Sequence, residues 1–237
     1  NATRRPYVSI ENNILLDDEF TLEEDKPSPK KFGVIVADPP WRFSDNLKYE
    51  KRDGVVRGVN NMYPTLTLAE IKKLPISEIS EENSLCALWV PSAFLKAGID
   101  VLEAWGFTYK QLWIWGKTSK KNPLNLAFGM GRLARNCHEP CLVGTRGKYT
   151  KFLKNHSQRN LFMHPTMRHS QKPESLQTSL DLMFPDWDKL EIFARRARSG
   201  WTCIGNEAPA THGEDVRDSI SDLLGYPLLG NRINPEE

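Results

Sequence analysis

The stretch "FGVIVADPPWRF", residues 32–43, decides how this chain is read. It opens on a short apolar run with Val34, Ile35 and Val36 at its centre, as expected of a strand buried on both faces of a parallel sheet. Asp38 stands at the end of that strand, followed by Pro39, Pro40 and Trp41. Each proline fixes φ near about −65° and donates no N–H, so the turn is stiff, rich in acceptors, and expected to point its carbonyls at outside partners. In an open α/β sheet, ligands gather at the carboxyl ends of the strands, which is where Asp38 falls. A carboxylate and a backbone carbonyl held still suit a group with two N–H donors, such as the exocyclic amine of a nucleobase. Trp41 is placed to offer that ring a flat wall.

Working outward, strand and helix patterns alternate. Thr67 and Glu70 in "TLAEIKKL" form a capping box and Pro75 stops the helix. "SLCALWVP" reads as a strand, residues 92–105 as a helix with Gly106 just past its end, and "YKQLWIWGK" and "HEPCLVGTRG" as two further strands. Residues 148–166 read as a basic loop. "KPESLQTSLDLMF" is a helix with Pro173 in its first turn, and "KLEIFAR" and "GWTCIGNE" close the series. The alternation implies an α/β fold, a mostly parallel, doubly wound sheet with helices on both faces. Residues 1–31, ending in "KPSPKK", form an extension and linker, 32–210 the main domain, and 211–237 a polar tail with one short helix.

A length of 237 residues suits one such core, and 39% hydrophobic with 26% charged residues excludes a chain disordered throughout. No apolar run approaches the roughly 20 residues of a membrane helix. No signal-peptide pattern is read at the start, and Asn1 in place of Met is taken as a processing boundary. Cys86, Cys137, Cys141 and Cys203 include no CxxC pair, so free thiols in a reducing compartment are expected, the nucleus in a eukaryote and the cytoplasm otherwise. The net charge of +2 conceals an asymmetry: residues 110–172 hold 13 Lys and Arg against one acid, Glu139, a formal +12, which leaves −10 on the rest. That excess reads as a footprint for a phosphate backbone. His138, Glu139 and Cys141, with Cys137 beside them, lack zinc spacing and alternate faces on a strand, so no metal is expected and His138 and Glu139 are read as support for the substrate face.

The lone pair of a nucleobase amine is delocalised into its ring. Two acceptors gripping the N–H groups favour a more pyramidal nitrogen and disperse the positive charge that develops when it attacks a methyl donor. "ADPPW", followed in order by "YPTLTLAEIKKLP", "LWV", "AWGF", "HEPCLVGTRG", "HSQKPE", "LEIFAR" and "GWTCIGNE", resembles the DPPW-type adenine-N6 methyltransferases. This family includes the catalytic subunit that methylates adenosine in eukaryotic messenger RNA and relatives that act on DNA. The resemblance spans about residues 32–207 and implies a Rossmann-like fold and S-adenosylmethionine as methyl donor, released as S-adenosylhomocysteine. It places Asp38, Pro39, Pro40 and Trp41 in the catalytic signature and Tyr63 of "NMYPT" by the substrate. Lys172 matches the lysine assigned to the cofactor carboxylate, Arg195, Asn206 and Glu207 match positions around the cofactor's ribose and adenine, and Glu191 ends a strand where many methyltransferases place an acid. Asp38 borders the same pocket.

Two departures accompany the match. No glycine-rich G-x-G-x-x-G loop occurs, and "RARSGW" stands where the messenger-RNA branch has a His-Asn pair on the cofactor. The stretch "RFSDNLKYEKRDGVVRGVNN" between Trp41 and Tyr63 is longer than in that branch and resembles the DNA-directed members. The expectation is therefore methyl transfer to adenine N6 in nucleic acid, with DNA preferred and RNA the alternative, aided by a paralogous partner subunit. A non-catalytic scaffold subunit is the reading from a different class, and the intact Asp-Pro-Pro-Trp opposes it.

Overall fold

The computed structural model describes residues 29–41, 66–129, 131, 133–167 and 171–228. The run that opens the domain forms β1 (Phe32–Ala37), with all six residues buried. Alternation along it sends Ile35 and Ala37 to one face of the sheet and Val34 and Val36 to the other, so it fills two cores at once.

The remaining elements are α1 (Leu68–Lys73), β2 (Ser80–Trp89), α2 (Leu95–Ala104), β3 (Thr108–Thr118), β4 (His138–Arg146), β5 (Leu161–Pro165), α3 (Ser175–Met183), β6 (Lys189–Ile192), β7 (Thr202–Ile204) and α4 (Val216–Leu224). The capping box of α1 is present: Thr67 Oγ1 accepts from Glu70 N, and Glu70 Oε2 accepts from Thr67 N at 2.7 Å. Thr67→Ala removes the side-chain half of it. The expected result is a loss of about 1 kcal/mol in unfolding free energy, read as a lower denaturant midpoint at unchanged slope.

The seven strands lie in the order β5-β3-β4-β2-β1-β6-β7. β1 is parallel to β2 and β6, β6 to β7, and β3 to β5, whereas β4 is antiparallel to both β2 and β3. The sheet is thus mostly parallel, as expected, with one strand reversed. The reversal brings the amino end of β4 to the edge where β1, β3, β6 and β7 end. Helices α1, α2 and α4 cover one face through Ile71, Leu102, Ile220 and Leu224, and α3 covers the other through Leu176 and Leu180.

Three details differ from the sequence reading. Residues 148–166 are not all loop: β5 adds to the sheet edge beside β3, with Ile114 N donating to Asn160 O at 2.7 Å and Phe162 turned in against Trp89. Pro173 lies just before α3, whose N-cap is Glu174. The short helix after residue 211 sets Val216, Ile220 and Leu224 into the main core.

Candidate active site

Parity along the strands assembles the site on the face covered by α3. Asp38 continues the alternation of Val34 and Val36, Glu139 that of Cys141 and Val143, and Lys117 that of Trp113 and Trp115. All three therefore reach the carboxyl edge on one face, and Lys172, on the approach to α3, closes over them. Lys172 Nζ lies 2.7 Å from Asp38 Oδ2 and 2.9 Å from Glu139 Oε1, and Lys117 Nζ lies 2.7 Å from Glu139 Oε2. Four charges of alternating sign form one neutral chain. Trp89 lies beneath Lys172 with its ring centroid 5.7 Å from Nζ, and Lys117 Nζ lies 4.7 Å from the centroid of Trp115.

Burial sets the electrostatics. It pushes the Asp38 carboxyl above its ordinary value of 3.8, against the pull of Lys172. Burial also works to raise Glu139, but the two lysines together outweigh it and hold Glu139 low. Burial works to lower Lys172, and the two carboxylates reverse this and raise it. Asp38 Oδ1 accepts no hydrogen bond among the described residues.

The diproline turn is more self-contained than the sequence implied. Pro39 O accepts from Trp41 N at 2.9 Å and Pro40 O from Leu66 N at 3.2 Å. The carbonyls that lack a strand partner are taken up by Trp41 two residues on and by Leu66 at the approach to α1, and one lone pair of Pro39 O has no donor among the described residues. Trp41 is 6% exposed, donates its indole N–H to Trp89 O at 3.0 Å, and packs its ring at a tilt against Phe94, so it braces the turn. Tyr63 and the stretch after Trp41 lie outside the described residues.

Beside this centre, Glu191 on β6 faces α3. Gln177 Nε2 donates to Glu191 Oε2 at 3.1 Å, and burial raises the Glu191 carboxyl. Gln177 is 2% exposed and its Oε1 has no partner among the described residues. The ends of β6 and β7 cross closely. Phe193 takes a left-handed φ of 63°, and a Cβ on Gly205 would lie 2.7 Å from the Ala194 backbone. The crossing brings Arg195 within 3.7 Å of Glu207, with Asn206 between them in sequence. The close approach thus rests on one glycine and one turned phenylalanine. The departure "RARSGW" is explained as well: Arg196 pairs with Glu174, and Arg198 with Glu174 and Asp181 at 2.7 and 2.8 Å, tying this loop to α3.

The basic segment does not form one footprint. Lys117, near the end of β3, and Lys120, Lys121 and Arg135, on the connection after it, lie at the ligand edge, whereas Lys148, Lys151 and Lys154 follow the carboxyl end of the reversed β4 and lie at the opposite edge. Lys154 N donates to Met183 O at the far end of α3. A charge run that is continuous in sequence is divided because a strand carries the chain across the sheet within it. Sequence reasoning missed Lys117, Gln177 and the link from Glu139 to Asp38. Period-two counting from Trp113 and Cys141 points to Lys117 and Glu139, but not to their meeting with Lys172.

A mostly parallel sheet with helices on both faces and a paired carboxylate at its ligand edge defines a Rossmann-like methyltransferase domain. The chain belongs to the MT-A70 family, whose model matches residues 32–207. It is 30% identical over 192 residues to the type II methyltransferase M.MunI of Mycoplasma sp, covering 76% of this chain and 79% of that protein. It is 28% identical over 178 residues to the N(6)-adenosine-methyltransferase MT-A70-like of Arabidopsis thaliana, and 26% over 184 residues to the human N(6)-adenosine-methyltransferase catalytic subunit METTL3. Those matches cover 74% and 77% of this chain but only 24% and 29% of the plant and human proteins.

Proposed function

We propose that this chain transfers a methyl group from S-adenosylmethionine to N6 of adenine in nucleic acid, DNA in preference to RNA. The observation that carries the reading is the half-buried carboxylate of Asp38, fixed through Oδ2 to Lys172 with Oδ1 left to accept an N–H, on a turn too stiff to move.

The donor set fits the cofactor. An amino-acid end needs a cation and an acid, and ribose needs groups that both donate and accept. Lys172 and Glu191 supply the first pair, with the unpartnered Gln177 Oε1 beside Glu191, and Asn206 and Glu207 supply the second. When bound, the cofactor supplies an electrophilic methyl. The chain's own part is to hold the amine: Asp38 Oδ1 accepts one N–H, the remaining lone pair of Pro39 O accepts the other, and the negative charge of Asp38 offsets the charge developing on nitrogen. A target in a duplex is turned out of the stack before it reaches this turn. Lys120, Lys121 and Arg135 lie at the same edge and are exposed, in position for phosphates.

The preference for DNA rests on the length of the stretch between Trp41 and Tyr63. The coverage of 79% of a type II methyltransferase, against about a quarter of the N6-adenosine enzymes, accords with it. A paralogous partner belongs to the same reading, supported by Leu124, Phe128 and Leu133, which are 92%, 81% and 102% exposed on the connection between β3 and β4. The test is transfer of label from S-adenosylmethionine to matched DNA and RNA oligonucleotides, single- and double-stranded, with and without a copurifying subunit. Label at adenine N6 in DNA above RNA is expected. Label on cytosine, or none under any condition, overturns the reading.

A further inference from the structure

We infer that Lys117 is a positioning residue for Asp38, acting through Glu139 and Lys172. Lys117 does not touch Asp38. It is the penultimate residue of β3, where its backbone N–H donates to Cys137 O at 2.7 Å, and its ammonium is held between the Trp115 ring and Glu139 Oε2. Glu139 in turn divides its two oxygens between Lys117 and Lys172, and Lys172 divides its ammonium between Glu139 and Asp38. Each inner member of the chain is thus shared between two partners of opposite sign, and each share depends on the other. With Lys117 present, Glu139 is satisfied on one side and leaves Lys172 free to sit 2.7 Å from Asp38. Without it, Glu139 has Lys172 alone, draws that ammonium toward β4, and leaves the buried Asp38 less well compensated.

Other charges around the chain do not replace Lys117. Arg195 and Glu191 act on Asp38 from the β6 side, with opposite sign. His164 of β5, in register with Lys117, has Nδ1 against the Pro165 carbonyl oxygen at 2.9 Å, and His138 of β4 has Nε2 3.3 Å from Ser92 Oγ. Cys141 of β4 is buried, and burial keeps its thiol protonated.

The inference rests on the assignment of Asp38 as the acceptor of the amine, and its test separates the two. Carboxyl carbon NMR of the free protein follows the titration of Asp38 and Glu139 in wild type, Lys117→Gln, Lys117→Arg and Glu139→Gln. In Lys117→Gln both midpoints are expected to rise by about one pH unit, and in Lys117→Arg to stay near wild type. In Glu139→Gln the Asp38 midpoint is expected to fall, because Lys172 then serves Asp38 alone. Methyl transfer provides the second readout: the acid limb of the kcat profile moves up with Asp38 in Lys117→Gln, lowering kcat about tenfold below that limb, while KM for the oligonucleotide changes little. An Asp38 midpoint unmoved by Lys117→Gln, or moved the same way by Glu139→Gln, overturns the inference whatever the activity. Midpoints that shift in the variants as expected, while the wild-type protein methylates no adenine, uphold the coupling and refute the proposed function.

Discussion

Asp38→Asn is expected to slow methyl transfer by about 10²- to 10³-fold with the fold intact. Asparagine keeps the shape and one acceptor oxygen but removes the charge that offsets the positive nitrogen, and its NH2 turned toward the amine repels what the carboxylate attracts. The same change is expected to leave the melting temperature level or higher. Burial raises the folded-state value of Asp38 above 3.8, so its contribution to stability is complete below 3.8 and is lost as pH rises through the folded value. At neutral pH the ionised group is a cost to the fold that asparagine relieves, as is common where a site is built for chemistry rather than stability. Single-turnover rates and thermal melts at neutral pH test both halves. A variant that transfers methyl at the wild-type rate removes Asp38 from the reaction.

Lys172→Met has the second large effect, and it acts on stability and binding together. Methionine matches the length of the lysine stem and leaves Asp38 and Glu139 facing each other across the gap, their side chains 23% and 21% exposed. Breaking a buried pair strands the partner charge, so a loss of about 2–3 kcal/mol is expected, or roughly 5–10 °C in melting temperature for a chain of this size. On the proposed function Lys172 is also the cation for the cofactor's carboxylate, so an affinity for S-adenosylmethionine about 100-fold lower by calorimetry is expected. The dependence on pH identifies the cause. Lys172 is raised above 10.5 in the folded state, so its contribution is whole below 10.5 and is lost as pH rises through the folded value. Glu139 is lowered below 4.5, so its share is present above 4.5 and is lost as pH falls through the folded value. The gap between wild type and variant is therefore widest from pH 5 to 10 and narrows at both extremes. A constant gap contradicts the ion-pair account.

Much of the framework was legible because it is written in local pattern. The strand before Asp38, the capping box of Thr67 and Glu70, and Gly106 past the end of α2 each depend on neighbours a few residues away, and each is found where expected. The strand β5 was not legible, because Leu161 and Met163 are 54% and 52% exposed and, beyond the half-buried Phe162, its place in the sheet comes from hydrogen bonds to β3. Trp41 reads as a wall for a ring and is placed as a brace, because its partners, Trp89 and Phe94, lie some fifty residues away.

The sequence by itself determined the stop at Asp38 and the class of fold that receives it, since β-branched runs, prolines and helix caps act within a few residues of backbone. Only the tertiary structure decided what Asp38 meets there. The reversal of β4 delivers Glu139 to the edge where β1 and β3 end, the approach to α3 lowers Lys172 between the two carboxylates, and Lys117 closes the chain of charges. Strand direction and cross-sheet pairing are set by the burial of whole faces at once, a property that no short stretch of residues holds on its own.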